Sequence, residues 1–345
     1  MNRSRIFLAL LLACNAFFGI KAFSQATPVW DRARIYDHGQ QSSVAIVPSS
    51  GYVVEFHKSQ NNNTMWYRTG KMAEFAGNTS VYWGDSHSTD TNGYWPTVSV
   101  TKEGYVVLVY SPSNQVVPQI IYWVGRINPS GDRDQTIQWL VKNQAFGYGF
   151  HASLSVNNSG QFAIAYECRN GCQPDLVYRL GHLDNPTAGR YNMIWDTGSN
   201  YVPYDKGINP HISINDQGQV IEAHQVTNEN LLHYRRGTYT STRIDFQPSK
   251  RYDNNAKQPA VTLSNNGKVF ELHISSDKVF ARNGTLNIND PERVDWSNSV
   301  YLGTMRYDNY PAATNNNVLT MGTWTAGDSN FSDPGNLQYS LTPVQ

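Results

Sequence analysis

Short runs in which apolar and polar residues alternate, each broken by a glycine, recur along residues 27–345. The first reads Ser43-Val44-Ala45-Ile46, then Gly51-Tyr52-Val53-Val54-Glu55-Phe56-His57. Period-two alternation predicts half-buried strands, and the glycine between them predicts a hairpin turn. The unit returns at Pro96-Thr97-Val98-Ser99 with Gly104 to Tyr110, and at Ala152-Ser153-Leu154-Ser155 with Gly160 to Tyr166. It returns again at Pro210 to Ser213 with Gly218 to His224, and at Pro259 to Thr262 with Gly267 to His273. A weaker sixth copy starts at Pro311, with Asn316 in place of the glycine. The turn residues are separated by 53, 56, 58, 49 and 49 positions.

Each copy continues into a third strand ending near Gly70, Gly125, Gly181, Gly237 or Gly284, with Tyr339 marking the sixth. A short fourth strand follows, marked by Trp83, Trp139, Trp195, Phe246 or Trp296. The sixth such marker is Trp30, near the beginning of the chain. Four strands per unit at a period near 50 match propeller blades, and a chain that starts on a fourth strand can close a ring by pairing its two ends. The expected fold is all-β: a six-bladed β-propeller of four-stranded blades over residues 27–345, closed by the N-terminal strand on the last blade. Seven blades is the alternative. Two β-sandwiches would explain neither the even spacing nor the split last unit. No helical period is visible in residues 27–345.

Residues 1–26 read as an export signal. Arg3 and Arg5 precede an apolar run from Ile6 to Ile20, and Ser24-Gln25-Ala26 supplies small residues for cleavage. A lipoprotein reading, with Cys14 as the lipidated residue, is the minor alternative. The expected location is therefore secreted or periplasmic, and no second segment is apolar enough to span a bilayer. Export leaves Cys168 and Cys172, in Cys-Arg-Asn-Gly-Cys, as an expected disulfide across a tight turn. A zinc site would need two further ligands, and none stands at suitable spacing, so no metal or other cofactor is expected.

Residues 27–345 carry 24 basic and 27 acidic side chains, which disfavours nucleic acid as a partner. The polar residues that do repeat are more informative. Glu-x-His on the second strand and Arg on the third occur together three times: Glu55, His57 and Arg68; Glu222, His224 and Arg235; Glu271, His273 and Arg282. Period two places Glu and His of one copy on one face. The connections between blades bring Tyr36-Asp37, Tyr204-Asp205, Tyr252-Asp253 and Tyr307-Asp308 to the same rim, and Trp66 stands beside Arg68 on the third strand. Planar polar groups suit paired sugar hydroxyls, and rings suit a sugar's C–H face. The competing reading is bracing. The second copy has Leu108 and Trp123 in place of Glu and Arg, and the sixth has Thr320 and Ser340, as an inter-strand Glu–Arg salt bridge would require. The third copy, with Arg179 opposite Ile164, breaks that rule. The Tyr-Asp pairs also suit turns. His87, His151, His182 and His211 fall outside the pattern and read as surface or packed residues.

The consensus is Tyr-Asp-x-Gly-x-x-Pro-x-Val, Gly-x-Val-Val-Glu-x-His-x-Ser, Tyr-Arg-x-Gly and x-x-Trp. It resembles that of the bacterial fucose-binding propeller lectins first known from Photorhabdus. Gly51 to Ser59 with Trp66 to Gly70, and Tyr204 through His224 to Gly237, are the nearest copies. The resemblance covers residues 27–345 and implies shallow sugar sites between blades, glycans as partners and fucose as a ligand. Known members look seven-bladed, and the count of six here departs from them. No nucleophilic motif is present. One polar set retained in several blades suits a multivalent binder, not an enzyme. The alternatives are a sialidase-like glycoside hydrolase, which would need a blade-specific carboxylate pair at the central mouth, and a structural or protein-binding propeller.

Overall fold

The structure is a computed structural model that describes residues 31–344, except 32, 49, 76–77, 115–117, 169–174, 185–191, 199, 306–311, 316–318 and 327–335. The expected signal segment with Cys14 lies outside the described residues, as do Trp30, Cys172, Tyr307-Asp308, Pro311 and Asn316. Among the described residues all regular structure is β.

The strands form six antiparallel blades. β1 (Arg34–His38) belongs to the last of them. Blade one is β2 (Gln40–Ile46), β3 (Tyr52–Lys58), β4 (Thr64–Phe75) and β5 (Asn78–Asn92), in that order. Blade two is β6 (Tyr94–Val100), β7 (Tyr105–Ser111), β8 (Gln119–Arg126) and the first half of β9 (Gln138–Val156). β9 changes partner at Tyr148 and Gly149, so its second half is the inner strand of blade three. Blade three continues with β10 (Gln161–Cys168) and β11 (Leu176–Leu183), and its outer strand comes in two pieces, β12 (Met193–Trp195) and β13 (Val202–Asp205). Blade four repeats this with β14 (Ile208–Ile214), β15 (Gln219–Gln225), β16 (Leu231–Tyr239), β17 (Ile244–Phe246) and β18 (Lys250–Asn254). Blade five has β19 (Lys257–Leu263), β20 (Lys268–Ser275), β21 (Lys278–Leu286), β22 (Val294–Trp296) and β23 (Val300–Thr304). Blade six is β24 (Ala312–Asn315), β25 (Leu319–Ala326) and β26 (Asn336–Pro343), completed by β1, with Arg34 opposite Tyr339. The Asp31 amide extends this closure by donating to the Leu341 carbonyl at 3.0 Å. Six blades sealed by the two ends of the chain are what the repeat predicts.

The core is divided among the blade interfaces. Among the described residues six apolar clusters are found, one for each contact between adjacent blades, and one of them, with Tyr36, Val44, Met321 and Tyr339, joins blade six to blade one. The five turn glycines at 51, 104, 160, 218 and 267 all have φ between 67° and 84°, a region that costs other residues strain. The third-strand glycines have a different cause. Gly70, Gly125, Gly237 and Gly284 lie directly opposite Trp83, Trp139, Phe246 and Trp296. A Cβ at Gly125 or Gly284 would stand 2.8 Å from the indole. The ring covers the glycine, so the two residue types recur together.

The inner strands would leave backbone donors facing the central channel. Hydroxyls of the preceding blade accept from them. Ser43 Oγ accepts from the Val98 amide, Ser153 Oγ from Ile212 and Ser213 Oγ from Leu263, each at 3.0 Å. Thr314 Oγ1 closes the circle at 3.4 Å from the Ile46 amide. In blade four the same place is taken by His211, whose Nδ1 accepts from the Val261 amide at 3.2 Å. Burial lowers its pKa to about 4, so it is the neutral imidazole that accepts.

Register corrects one alignment. In blade six the residue opposite Ser340 is Gly322, not Thr320, so Gly322 holds the position of Glu55.

Candidate functional site

The residues singled out by the repeat come together at three grooves, between blades six and one, three and four, and four and five. β3 and β4 place Glu55 opposite Arg68 and His57 opposite Trp66, on the face turned toward blade six. Tyr36 arrives from β1, an outer strand of the preceding blade, and its hydroxyl donates to Glu55 Oε1 at 3.2 Å. His57 Nδ1 lies 3.0 Å from Glu55 Oε2. The other two grooves repeat this. Tyr204 donates to Glu222 at 2.9 Å and Tyr252 to Glu271 at 3.0 Å. His224 and His273 lie 3.0 and 2.9 Å from the same carboxylates.

These groups saturate one another. Glu55, Glu222 and Glu271 have no exposed surface. Burial raises the Glu55 pKa against the pull of His57. Burial pulls the His57 and His224 imidazoles down, but the adjoining carboxylates outweigh it and the net shift is upward. Burial, and then the neighbouring glutamate, hold the hydroxyls of Tyr36, Tyr204 and Tyr252 well above the usual phenol range. The tyrosine rings are also occupied. Tyr36 stacks on Trp83 at 4.8 Å, Tyr204 on Phe246 at 5.1 Å and Tyr252 on Trp296 at 5.2 Å. The motif glycine follows from this packing, because a Cβ at Gly39 would stand 2.5 Å from the His57 ring and one at Gly207 2.7 Å from His224.

The expected Glu–Arg salt bridge is therefore corrected. Only Arg282 comes within 4.0 Å of its glutamate, with Nε 3.4 Å from Glu271 Oε2. Arginine instead braces the connection from the preceding blade. Arg68 donates to the Tyr36 carbonyl at 2.5 Å, and Arg235 and Arg282 donate to those of Tyr204 and Tyr252. Each also meets the aspartate that follows: Arg68 Nε lies 2.8 Å from Asp37, Arg235 3.5 Å from Asp205, and Arg282 contacts Asp253. The tandem loss of polar residues reflects the Tyr–Glu bond. In blade three, Ile164 replaces Glu where Phe146, lacking a hydroxyl, replaces Tyr.

What remains open in each groove is the Asp–Arg pair and one ring. The aspartate side chains keep 15 to 22 % of their surface. Asp205 Oδ2 accepts no hydrogen bond. Opposite the histidine stands a partly exposed ring in each copy: Trp66, His233 and Phe280. His233 and Phe280 escape sequence reading because the position varies in residue type. Its place beside the repeated Tyr-Arg was the available signal.

The histidines outside the pattern divide. His87 pairs with Asp134 at 2.8 Å, His182 with Asp196 at 2.9 Å and His151 with Glu167 at 2.5 Å. His151 and His211 line the central channel mouth, a cavity of about 70 Å³ bordered also by Gln41, Trp95 and Asn209. No Asp or Glu is among the described residues lining it. Among the described residues no group of three or more His, Cys, Asp or Glu is placed to hold a metal ion. None contains a helix long and apolar enough to cross a membrane. Cys168 is buried at the end of β10.

No family model and no curated protein matches the sequence. Solved structures do match the fold. A Dyadobacter fermentans protein of unknown function aligns at a TM-score of 0.57 and 11% identity, covering 93% of this chain and 98% of its own. The α-L-arabinanase of Penicillium chrysogenum, complexed with arabinobiose, aligns at 0.56 and 11% over 92% and 99%. The GH93 α-L-arabinofuranosidase of Fusarium graminearum, also with arabinobiose, aligns at 0.53 and 11% over 92% and 97%. At such identities the likeness is one of fold, and these neighbours are β-propellers.

Proposed function

We propose that this protein is a secreted lectin that binds neutral sugars, without transforming them, in the three grooves between blades. The observation that carries the reading is the threefold recurrence of a partly open Asp–Arg pair beside a partly exposed ring. Such a pair offers donors and acceptors in a fixed plane, and the ring offers a face for C–H groups. The Asp205 side chain keeps 22 % of its surface for a ligand, while its Oδ2 is buried 3.5 Å from Arg235 and 3.8 Å from His224. Three weak sites on one rigid ring gain by avidity. Fucose or a related deoxy sugar is the finer form of the proposal, resting on the sequence resemblance. Export and a Cys168–Cys172 disulfide belong to the same reading.

A glycoside hydrolase is the second reading, and the turnover arm of the test distinguishes the two. The test is a glycan array with the purified protein, with arabinobiose among the probes, followed by titration of free monosaccharides. Selective binding that Asp37→Asn, Asp205→Asn and Asp253→Asn together abolish, in a folded protein, supports the reading. Sugar turnover, or binding untouched by the triple variant, overturns it.

A further inference from the structure

The groove between blades two and three differs from the other three in one respect. Arg179 occupies the place of Arg68, Arg235 and Arg282 and makes the same brace, donating to the Phe146 carbonyl at 2.7 Å and the Gly198 carbonyl at 2.5 Å. Phe146 stacks on Trp195 at 4.9 Å, as Tyr36 does on Trp83. The residue after Phe146 is Gly147, where the other grooves have Asp37, Asp205 and Asp253. The glutamate position holds Ile164. The aspartate that meets the arginine in the other grooves is therefore missing, and so is the glutamate of the second strand. Among the described residues none lies within 4.0 Å of Arg179, and no aspartate or glutamate contributes to its electrostatics.

The arginine is nonetheless 4% exposed, and its Nε–H has no hydrogen-bond partner. A buried guanidinium without a counter-charge is costly. Its Cζ sits 3.8 Å from the centre of the Trp195 ring, which offsets part of that cost. The Tyr166 hydroxyl borders the place of the missing aspartate, 3.2 Å from where a Cβ at Gly147 would stand, and a cavity lies beside it. Gly147 and Arg179 border a cavity of about 900 Å³ walled by Phe146, Tyr166, Trp195 and the exposed Tyr201. That volume suits a small-molecule ligand.

We infer that this groove binds an acidic sugar, with the ligand carboxylate taking the place of the absent aspartate against Arg179 and the sugar's C–H face lying on the aromatic wall. The inference goes beyond the neutral-sugar reading and does not depend on it, because different residues carry each.

The test is a titration of the full chain with D-galacturonate and D-glucuronate, read by calorimetry and tryptophan fluorescence. One uronate should bind, and its methyl ester, which removes the charge and adds one methyl group, should bind at least about tenfold more weakly. Gly147→Asp supplies an internal carboxylate where the other grooves have one. It should abolish uronate binding in a protein that still unfolds cooperatively, so the loss cannot be blamed on unfolding. Excess L-fucose or arabinobiose should not displace the uronate, which separates this site from the neutral-sugar grooves; full displacement by either overturns the inference. The inference falls if neither uronate binds at about 10 mM, a concentration that detects millimolar affinity. It falls also if Gly147→Asp leaves binding unchanged, or if sodium acetate competes as well as the sugar acid.

Discussion

Replacing Glu222 with Ile separates bracing from ligand contact, because blade three already shows the apolar version of the same assembly. The substitution removes the acceptor for Tyr204 at 2.9 Å and the partner of His224 at 3.0 Å. His224 keeps only 1% of its surface exposed, so water cannot substitute. Each stranded polar group costs about 1–3 kcal/mol. The two together predict a loss of about 2–6 kcal/mol, which spans the range for breaking a buried charged pair. The triple change Tyr204→Phe, Glu222→Ile and His224→Tyr installs the residues of Phe146, Ile164 and Tyr166, and the new hydroxyl would stand beside Asp205, as that of Tyr166 stands beside Gly147. It should fall within about 1 kcal/mol of wild type, as apolar replacement of a buried polar cluster often does. Urea unfolding at pH 7, followed by tryptophan fluorescence, reads all three proteins. A triple variant as unstable as the single one would refute the reasoning, as would a single variant that costs nothing. Because Asp205, Arg235 and His233 remain, the folded triple variant should retain whatever sugar binding blade four supplies. Loss of that binding would move ligand contact onto the glutamate and histidine.

Other perturbations follow from the same geometry. His211→Ser restores the hydroxyl acceptor of the other blades. A histidine held at about 4 in the fold and near 6.5 when unfolded takes up its proton preferentially in the unfolded chain. Wild-type stability should therefore fall as pH drops from 6.5 toward 4, by up to about 3 kcal/mol, and the variant's pH profile should be flatter there in urea titrations. His57 and His224 act in the opposite sense. Their upward shifts give stability that is full below pH 6.5 and declines as pH rises through the folded value, so His57→Gln with His224→Gln should flatten the melting profile above pH 6.5. Gly39→Ala places a methyl 2.5 Å from the His57 ring and 2.9 Å from the Lys58 carbonyl, and should cost about 1–3 kcal/mol by overpacking; an unchanged urea midpoint would contradict that contact. Intact mass before and after reduction and alkylation tests the Cys168–Cys172 bond, which predicts no free thiol in the oxidised mature protein.

Much of the fold was legible because propeller blades repeat local signals. Alternation marks each strand, positive φ demands glycine at the five hairpins, and the last unit is visibly divided between the chain's two ends. Glycine opposite tryptophan was visible as co-occurrence, although its cause, a ring lying where a Cβ would be, needed the pairing. Period two also placed Glu and His on one face. It could not say which chain crosses that face. Tyr36, Tyr204 and Tyr252 come from the outer strand of the preceding blade, and only the packing of one blade against the next brings their hydroxyls onto the glutamates. The same packing turns arginine toward aspartate and a backbone carbonyl, away from the partner that strand register suggested. It sets Trp66, His233 and Phe280, three residue types with one position in common, at the groove. It also leaves Arg179 buried with no carboxylate of the described residues within 4.0 Å; the sequence placed Ile164 opposite it, but Gly147 in the aspartate's place comes from the preceding blade.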